Sequence, residues 1–498
     1  MTVPPHQRAH LKVLGEGRCS LVLSLTPFHL WAHFFIGTEV AAFNGHESVA
    51  LRIHKFPRAS VMEPTVERRL SRYLGTSVWI TPSPDLIDAL CAEWDTLVDA
   101  ERHKLRPETV GDDQFFETYV QNAESLMLLQ DFTAPIGGRN EDVVGQRDLS
   151  LKSSATFEVK PKSSWQEPLF RAARFYGPLE TENGVNAGEE LRQLHPRKLS
   201  QCRFSQMQVW KEARKGKKRQ QQETDAVHAP QRYCPNDLLM EPTAVAKESA
   251  LIALSLHPEN NLKCIDIHES VAPVQASSKE VECINTAACL SAASVALAHF
   301  DICARITSLQ LGGSLNVQQD TLLDVELLHH WLRCQREGGT DFQVLRRLSV
   351  APRNEEQCSR CACKEGPLEI VASPLEVDPT REEWIRPPFS LNEALDSFYV
   401  STTAKDLSLI ITVERWSSVD DGGGAATPVP SLVSNTLPQI TMISSQAIAY
   451  QPSPSELIKC RVGVVDIDCK RHKSVDHYFH QDADICAVVD SVMKSKTQ

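Results

Sequence analysis

Charged residues alternate around a proline in Glu158-Val159-Lys160-Pro161-Lys162. Successive side chains of a strand point to opposite faces, so Glu158, Lys160 and Lys162 are predicted to project together. Proline cannot donate to a sheet ladder, so Pro161 marks an edge or the end of a strand, which suits a cleft. Desolvated ammonium groups need an anion such as a phosphate as partner. The alternative is an exposed edge strand with solvated charges.

A second candidate site lies near the N-terminus, where Leu14-Gly15-Glu16-Gly17 separates two strand-like runs and Arg52 ends a third. A glycine turn between antiparallel strands can direct backbone N–H groups at nucleotide phosphates. An arginine on the neighbouring strand adds a permanent cation with a planar fork for phosphate oxygens. No helical pattern directly follows the glycines, which excludes a dinucleotide-binding or P-loop motif. A purely structural β-turn is the alternative.

Acidic residues also occur beside two apolar, strand-like segments. Asp406 precedes the apolar run Leu407–Val413, and Val462–Val465 precedes Asp466-Ile467-Asp468-Cys469-Lys470. The two-residue period of a strand predicts that Asp466, Asp468 and Lys470 point the same way. Carboxylates in such places are suited to hold Mg²⁺ or to accept a proton from a hydroxyl. A turn-initiating or helix-capping Asp is the alternative.

The composition is that of a folded protein with more than one structural unit. The chain has 498 residues, 42% hydrophobic and 23% charged, which excludes global disorder. Its 52 Lys and Arg against 64 Asp and Glu give a net charge of −12, so nucleic acid is not an expected partner. The 15 cysteines form no compact framework and residues 1–14 lack a signal peptide. Reduced thiols and a cytoplasmic or nuclear location are therefore expected.

Hydrophobic patterns predict strands and helices in alternation. Ser20–Thr38 has no charged residue and is about long enough for a membrane span. Its alternating leucines instead predict a strand, a turn and a second strand, so no association with a membrane is expected. An amphipathic helix is predicted over Asp320–Cys334, and a second helix from a capping box at Ser390 to about Tyr399. Loop insertions are predicted over 214–230 and 415–455.

Taken in order, these motifs resemble those of the inositol-pentakisphosphate 2-kinases. The Glu158–Lys162 box is the most specific element, and the match is spread over nearly the whole chain. The further matching segments are Gly15-Glu16-Gly17, Arg52, Cys202-Arg203-Phe204 with Lys211, Asn260-Asn261, Ala404-Lys405-Asp406 and Asp466–Lys470. The resemblance implies a mixed α/β (α+β) fold of two-lobed, kinase-like architecture, with a smaller N-terminal lobe over 1–135 and a larger C-terminal lobe over 136–498.

The resemblance also implies ATP- and Mg²⁺-dependent phosphorylation of the 2-hydroxyl of inositol 1,3,4,5,6-pentakisphosphate, giving the hexakisphosphate (phytate). Lys160, Asp406 and Asp466 would be catalytic, with Asp406 accepting the hydroxyl proton and Asp466 holding Mg²⁺. The implied nucleotide-binding residues are Gly15, Glu16, Gly17, Arg18, Cys19, Ser20, Arg52, the hinge Gln130, Asp131 and Phe132, and Glu158 and Lys160. The implied inositol-phosphate ligands are Lys162, Arg203, Lys211, Asn260, Asn261, Lys470 and Tyr478. The protein is expected to be a monomer whose partners are these two small molecules.

Three positions depart from the family's pattern. Met207 replaces a His among the substrate ligands, Ser474 replaces an Arg, although Lys473 is adjacent, and Phe132 replaces a His of the hinge. These departures keep two alternatives open. One is a catalytically inactive scaffold that binds inositol phosphate or nucleotide, and the other is a kinase of a different inositol polyphosphate.

A structural Zn²⁺ occurs in plant members of the family, held by two Cys and two His. Cys358 and Cys361 keep the C-x-x-C half of such a site, and Cys363, Cys334 or His330 would have to complete it. The basic run over 211–219 is interpreted as a solvated loop, except that Lys211 fits a basic wall of the substrate site; a nuclear-import or nucleic-acid patch is the alternative.

Overall fold

The computed structural model describes residues between 9 and 496 with gaps. The described ranges are 9–16, 20–35, 38–43, 46, 48–54, 62–97, 105, 115–123, 125–134, 136, 149–162, 174–175, 203–216, 233–256, 261–269, 278–310, 325–337, 345–350, 377–385, 390–418, 440–453 and 455–496. Helices and antiparallel sheets are mixed along these ranges, which confirms the predicted mixed α/β class. The division into two lobes at residue 135 stays a prediction.

An antiparallel five-stranded sheet forms from the N-terminal part of the described chain, in the order β1-β2-β3-β5-β4. Its strands are β1 His10–Glu16, β2 Ser20–Thr26, β3 Val49–His54, β4 Ser77–Ile80 and β5 Leu126–Gln130. The alternation in β2 buries Leu21, Leu23 and Leu25 in one hydrophobic core, as a half-buried strand requires. The antiparallel β1–β2 pair and the position of Arg52 on the adjacent strand β3 are as predicted. Leu14, Gly15 and Glu16 lie on β1 and not between the strands, and residues 17–19 lie outside the described ranges.

A six-stranded antiparallel sheet forms the centre of the remaining described chain, in the order β12-β13-β14-β11-β6-β8. Its strands are β6 Leu149–Val159, β8 Leu262–Glu269, β11 Ser408–Ser418, β12 Ile440–Ser444, β13 Ala447–Ser453 and β14 Glu456–Val465. The strands β7 Arg174–Phe175, β9 Leu345–Val350 and β10 Val377–Ile385 make a separate small sheet.

Helices cover both larger sheets. They are α1 Pro64–Leu74, α2 Pro84–Asp95, α3 Phe115–Gln121, α4 Arg203–Gly216, α5 Pro235–Leu239, α6 Ala244–Leu256, α7 Ser278–His299, α8 Ile302–Gln310, α9 Val325–Arg336, α10 Leu391–Ala404 and α11 Val475–Lys496. Helices α2 and α3 pack on the five-stranded sheet. Helices α1, α5–α8 and α10 share the core of the six-stranded sheet.

The six-stranded sheet has one apolar face and one polar face. Side chains at odd positions of β6 and β11, such as Phe157, Leu409 and Ile411, point into the helical core. Because side chains alternate along a strand, the even positions of both strands share the opposite face. That face carries Glu158 on β6 and Ser408 on β11, which are hydrogen-bonded to each other, together with the buried Ile410.

Two predicted elements need correction. Ser20–Thr38 is a strand followed by short 3-10 turns, and the predicted second strand is wrong because Phe28 and Trp31 turn into the core. The helix at Ser390 begins where predicted, with the Glu393 amide donating to Ser390 Oγ, but it continues to Ala404. Asp406 therefore follows a helix and lies in the turn before β11.

The remaining boundaries differ in extent. Helix α9 runs over Val325–Arg336, which is two residues beyond the predicted end at Cys334, and residues 320–324 lie outside the described ranges. The predicted loop over 214–230 begins later than expected, since α4 runs to Gly216. The loop predicted over 415–455 is shorter than expected, because the β12–β13 hairpin lies within it.

Among the described helices, none is by itself long and apolar enough to cross a membrane. A pair bent by 69°, Ala287–His299 and Ile302–Gln310, meets that length and composition only when taken together.

Candidate active site

Three strand ends bring two carboxylates and a serine together on the polar face of the six-stranded sheet. Glu158 is next to last in β6, Ser408 opens β11, and Asp466 directly follows β14. The antiparallel register places Ser408 opposite Val465 and Leu409 opposite Val159, so these ends meet at one edge. The Ser408 hydroxyl lies 2.8 Å from Glu158 Oε1 and 3.1 Å from Asp466 Oδ2, and it can donate to either carboxylate.

Lys160 lies between the same two carboxylates. Its Nζ is 3.3 Å from Asp466 Oδ2 and 3.7 Å from Glu158 Oε1. Burial alone would lower the pKa of the ammonium group, but the charges of Asp466, Glu158 and Asp406 outweigh burial and raise it. The Lys160 amide donates to the Asn261 carbonyl, which fixes the backbone just beyond the strand end. Lys160 is therefore a permanently charged donor that faces two acids.

Lys162 and Lys470 both contact Asp406. Their Nζ atoms lie 3.2 and 3.0 Å from its two carboxylate oxygens. Burial would raise the pKa of Asp406, yet the two ammonium groups outweigh it and lower the pKa to about 2. Conversely, burial is the main cause that lowers the pKa of Lys162, with Lys160 and Lys211 adding to it and Asp406 opposing it. Asp406 is thus an ionised acceptor at neutral pH, with half of its side chain exposed.

The strand continuation predicted over residues 158–162 ends early. β6 stops at Val159, and Lys162 adopts a positive φ of 63°. Two hydrogen bonds fix the backbone of residues 161–162. The Tyr233 hydroxyl donates to the Pro161 carbonyl, and the side-chain amide of Gln310 donates to the Lys162 carbonyl. Because β6 lies between β11 and β8, Pro161 marks a strand end, and the alternative of an exposed edge strand is wrong.

Asp466 and Asp468 point to different partners, so the prediction that they project together with Lys470 from one strand is wrong. β14 ends at Val465, and Asp466 has a φ of 60°, a conformation that Asp tolerates better than most residues. Asp468 forms an ion pair with Arg52 of β3, whereas Lys470 reaches Asp406. The chain turns after Asp466, which spreads the three charges around the site.

The ionisation of Asp466 is set by opposing effects. Burial would raise the pKa of its carboxyl group, but Lys160 and Arg52 and a hydrogen bond from Ser408 lower it below the usual value. Among the described residues, no group of three or more His, Cys, Asp or Glu is arranged to hold a metal ion. Mg²⁺ in phosphoryl-transfer sites is commonly held by one or two carboxylates, with phosphates and water as the other ligands. The ionised Asp466 fits the role of one such carboxylate.

A second face of the site is formed by helices α4 and α11. Arg203 of α4 forms an ion pair with Asp482 of α11 and donates to Gln206 Oε1 at 3.2 Å. The charge of Lys211, two turns further along α4, reaches Lys162. Tyr478 of α11 lies close enough to Asp406 for that carboxylate to add to the rise in its pKa, which burial mainly causes. Lys211 and Tyr478 therefore border the acid and lysine cluster, while Arg203 is engaged by Asp482.

The three hinge residues are held firmly by their neighbours. The Gln130 amide donates to the Thr76 carbonyl. The buried Asp131 carboxylate accepts from Ser24, Ser48 and Thr133. Phe132 is 5% exposed, and its ring packs over Gly463, where a Cβ would approach the ring to 2.3 Å. The Asp131 side chain is consequently structural, and any nucleotide contact from the hinge would come from its backbone.

The other family departures have structural explanations. Met207 packs with Val209 against Ile485 and Val489 between α4 and α11. Ser474 accepts a hydrogen bond from the His477 amide and so caps α11.

Sequence reasoning missed Ser408, which joins both carboxylates. Its position inside an apolar run concealed it, although the alternation of β11 would have assigned it to the polar face. Among the other predicted residues, Gly15 and Glu16 lie on β1, and Ser20 begins β2, where it is buried. Asn261 is buried beside Lys160. The predicted residues Gly17, Arg18, Cys19, Asn260, Cys358 and Cys361 lie outside the described ranges, so the zinc site stays a prediction.

Comparison with known families agrees with this geometry. The family model described as "Inositol-pentakisphosphate 2-kinase" matches residues 14–484, nearly the whole chain. No curated protein matches. The matched range contains the acid and lysine cluster as well as Arg52, Arg203 and Tyr478.

Proposed function

Because the chain belongs to the inositol-pentakisphosphate 2-kinase family, we propose that it transfers the γ-phosphoryl group of ATP to the 2-hydroxyl of inositol 1,3,4,5,6-pentakisphosphate, giving the hexakisphosphate. The observation that carries this proposal is the convergence of Lys160, Lys162 and Lys470 on Asp406 and Asp466. A substrate with five phosphates needs several cations in one place, and transfer to an alcohol needs an acceptor for its proton.

In this mechanism the side chains position charge. Lys160 stabilises the negative charge on the transferred phosphoryl group, which is spread over its oxygens in a loose transition state. Asp466 would hold Mg²⁺, which when bound neutralises phosphate charge. Asp406 accepts a hydrogen bond from the attacking hydroxyl, fixes its direction, and takes its proton as the new P–O bond forms.

The low pKa of Asp406 bears directly on that role. A carboxylate with a pKa of about 2 is always ionised near neutrality but is a weak base. Bound phosphates would draw Lys162 and Lys470 toward themselves and add negative charge, and both changes raise the pKa of Asp406. We propose that substrate binding in this way converts Asp406 from an ion-pair partner into a competent proton acceptor.

Inositol phosphate recognition would use both faces of the site. Lys162 and Lys470 lie beside the proton acceptor, with Lys211 and Tyr478 at its border. Arg203 would contact a phosphate with the part of its guanidinium that Asp482 leaves available. Asn260 and Asn261 complete the proposed set.

ATP would lie between the two larger sheets. Arg52 approaches the acids from β3 through its ion pair with Asp468, and the predicted glycine segment between β1 and β2 would add backbone donors to the phosphates. The hinge Gln130–Phe132 would contact adenine, and Glu158 would keep Lys160 in position.

The proposal is tested by incubating the purified protein with ATP, Mg²⁺ and the pentakisphosphate and separating the products by anion exchange. We expect stoichiometric ADP and hexakisphosphate, with weaker turnover of inositol polyphosphates that carry fewer phosphates. Binding of both ligands without turnover would favour the scaffold alternative, and preference for another acceptor would favour a different inositol phosphate kinase. If neither the pentakisphosphate nor ATP is consumed over a wide range of concentrations, the proposal is excluded.

A further inference from the structure

The polar face of the six-stranded sheet continues beyond the acids as a buried strip of three side chains. Thr412 and Glu414 lie on β11, in the same alternation as Ser408, and Arg461 lies opposite Thr412 on β14. Their exposures are 2%, 1% and 8%. We call these three residues the hinge clamp, because each of them donates a hydrogen bond to, or accepts one from, the backbone of the segment that begins at Gln130.

Arg461 binds the hinge through backbone carbonyl groups. Its Nη2 donates to the Phe132 carbonyl at 2.6 Å and to the Ala134 carbonyl, with the Asp131 carbonyl at 3.5 Å. Thr412 Oγ1 donates to the same Phe132 oxygen at 2.5 Å. Several carbonyl groups that converge on one guanidinium specify the path of the backbone, which apolar packing alone would leave less defined.

Glu414 holds the far end of the same segment. Its Oε1 accepts from the Ile136 amide at 2.6 Å, and its Oε2 accepts from Trp416 Nε1 at 3.1 Å. Both carboxylate oxygens are therefore satisfied, as a buried carboxylate requires. Lys459, opposite Glu414 in the register, lies 5.1 Å from the Trp416 ring.

The hinge clamp and the acid cluster share one rigid strand. Ser408, which contacts Glu158 and Asp466, is four residues from Thr412 along β11. At about 3.4 Å per residue this separation is roughly 14 Å, comparable with the distance from the base to the last phosphate of an extended nucleoside triphosphate. The sheet thus holds the hinge backbone and the phosphate-handling groups at the two ends of such a ligand.

We propose that Thr412, Glu414 and Arg461 are positioning residues that fix the hinge backbone against the sheet and thereby set the affinity for ATP. Buried charges are a costly way to stabilise a fold, since an apolar pair of the same shape often does as well. Their presence here is explained by the geometry that they impose on three or more backbone groups. The inference rests on the proposed function, because it assumes that adenine lies at this hinge.

The test uses Arg461→Met, with Arg415→Met as the matched control. Arg415 neighbours Glu414 on β11 and is also mostly buried in an ion pair, and its side-chain hydrogen bonds in the described part of the chain are to Glu456 and not to the hinge. Losing charge-assisted hydrogen bonds to the backbone should raise the KM for ATP, and the Kd of a non-hydrolysable ATP analogue, by roughly tenfold or more. The KM for the pentakisphosphate and kcat at saturating ATP should stay within about threefold. Arg415→Met should change neither KM.

Two further variants keep the inference testable if Arg461→Met does not fold. Thr412→Val removes the hydrogen bond to the Phe132 carbonyl, together with the one shared with the Thr156 hydroxyl, with little change in shape. It should raise the KM for ATP alone by a few fold, and Arg461→Lys should restore part of the lost ATP affinity. An unchanged KM for ATP in folded Thr412→Val and Arg461→Met would overturn the inference, as would equal rises in both KM values. Wild-type protein that binds the inositol phosphate but no adenine nucleotide would instead refute the proposed function, and the inference with it.

Discussion

Replacing Lys160 by methionine should remove most of the activity. Its Nζ lies 3.3 Å from Asp466 and 3.7 Å from Glu158, and a phosphoryl oxygen in the same position would be at a similar distance. At an effective dielectric constant of about 20, unit charges so separated interact by about 4.5 to 5 kcal/mol. Because about 1.4 kcal/mol corresponds to a tenfold change in rate, kcat should fall by roughly three orders of magnitude.

Lys263 provides the control for that substitution. Its Nζ is 3.3 Å from the other oxygen of Glu158, but its side chain is 52% exposed, so the pair is screened by water. Under saturating ATP and pentakisphosphate, Lys263→Met should change kcat by less than about fivefold. A Lys160→Met variant with wild-type kcat, or equal losses in both folded variants, would refute the role of Lys160 at the transferred phosphoryl group.

Three further outcomes follow from the same cluster. Asp406→Asn should lower kcat by a factor of roughly 10² to 10⁴. Calorimetry should show unchanged or tighter binding of the pentakisphosphate, because the substitution removes a negative charge beside Lys162. Weaker binding with a normal kcat would contradict this. Burial lowers the pKa of Lys162. As the pH rises, Lys162 therefore loses its positive charge at a lower pH than an ordinary lysine does. The ratio of kcat/KM of Lys162→Arg to that of wild type should therefore increase toward alkaline pH, and a flat ratio would count against a contact with substrate. Asp468→Asn leaves the buried Arg52 without its ion-pair partner, so Tm should fall. Arg52 is then available to the phosphates, so ADP should bind several-fold more tightly when its binding is measured without Mg²⁺. An unchanged ADP affinity would show that Arg52 does not contact the phosphates.

Local charge patterns predicted which charged side chains come together better than they predicted the path of the backbone between them. The Glu158–Lys162 box, Asp406 and Asp466 do come together. The two-residue period failed beyond Val159 and Val465, since Lys162 and Asp466 leave the strand with positive φ. Such turns depend on tertiary contacts, for example the hydrogen bond from the Tyr233 hydroxyl to the Pro161 carbonyl. The two residues are far apart in the sequence, so local patterns could not predict this contact.

Long-range partners account for most of what sequence could not supply. Nothing near Arg52 in the sequence indicates Asp468, 416 residues away, and nothing near Phe132 indicates Arg461. Ser408 was missed for a local reason, because it lies within an apolar run. The alternation of strand β11 nevertheless assigns it to the face that carries Glu158. Hydrophobic patterns were sufficient for the mixed α/β class, because they depend on neighbours within one element.

A crystal structure with a non-hydrolysable ATP analogue, Mg²⁺ and inositol pentakisphosphate would show whether Asp406 and the three lysines act on the substrates. We expect the 2-hydroxyl oxygen within about 3.2 Å of an Asp406 carboxylate oxygen, with Lys160 on the γ-phosphate and Lys162 and Lys470 on inositol phosphates. A pentakisphosphate bound away from these lysines, or a 2-hydroxyl that faces away from Asp406, would contradict it.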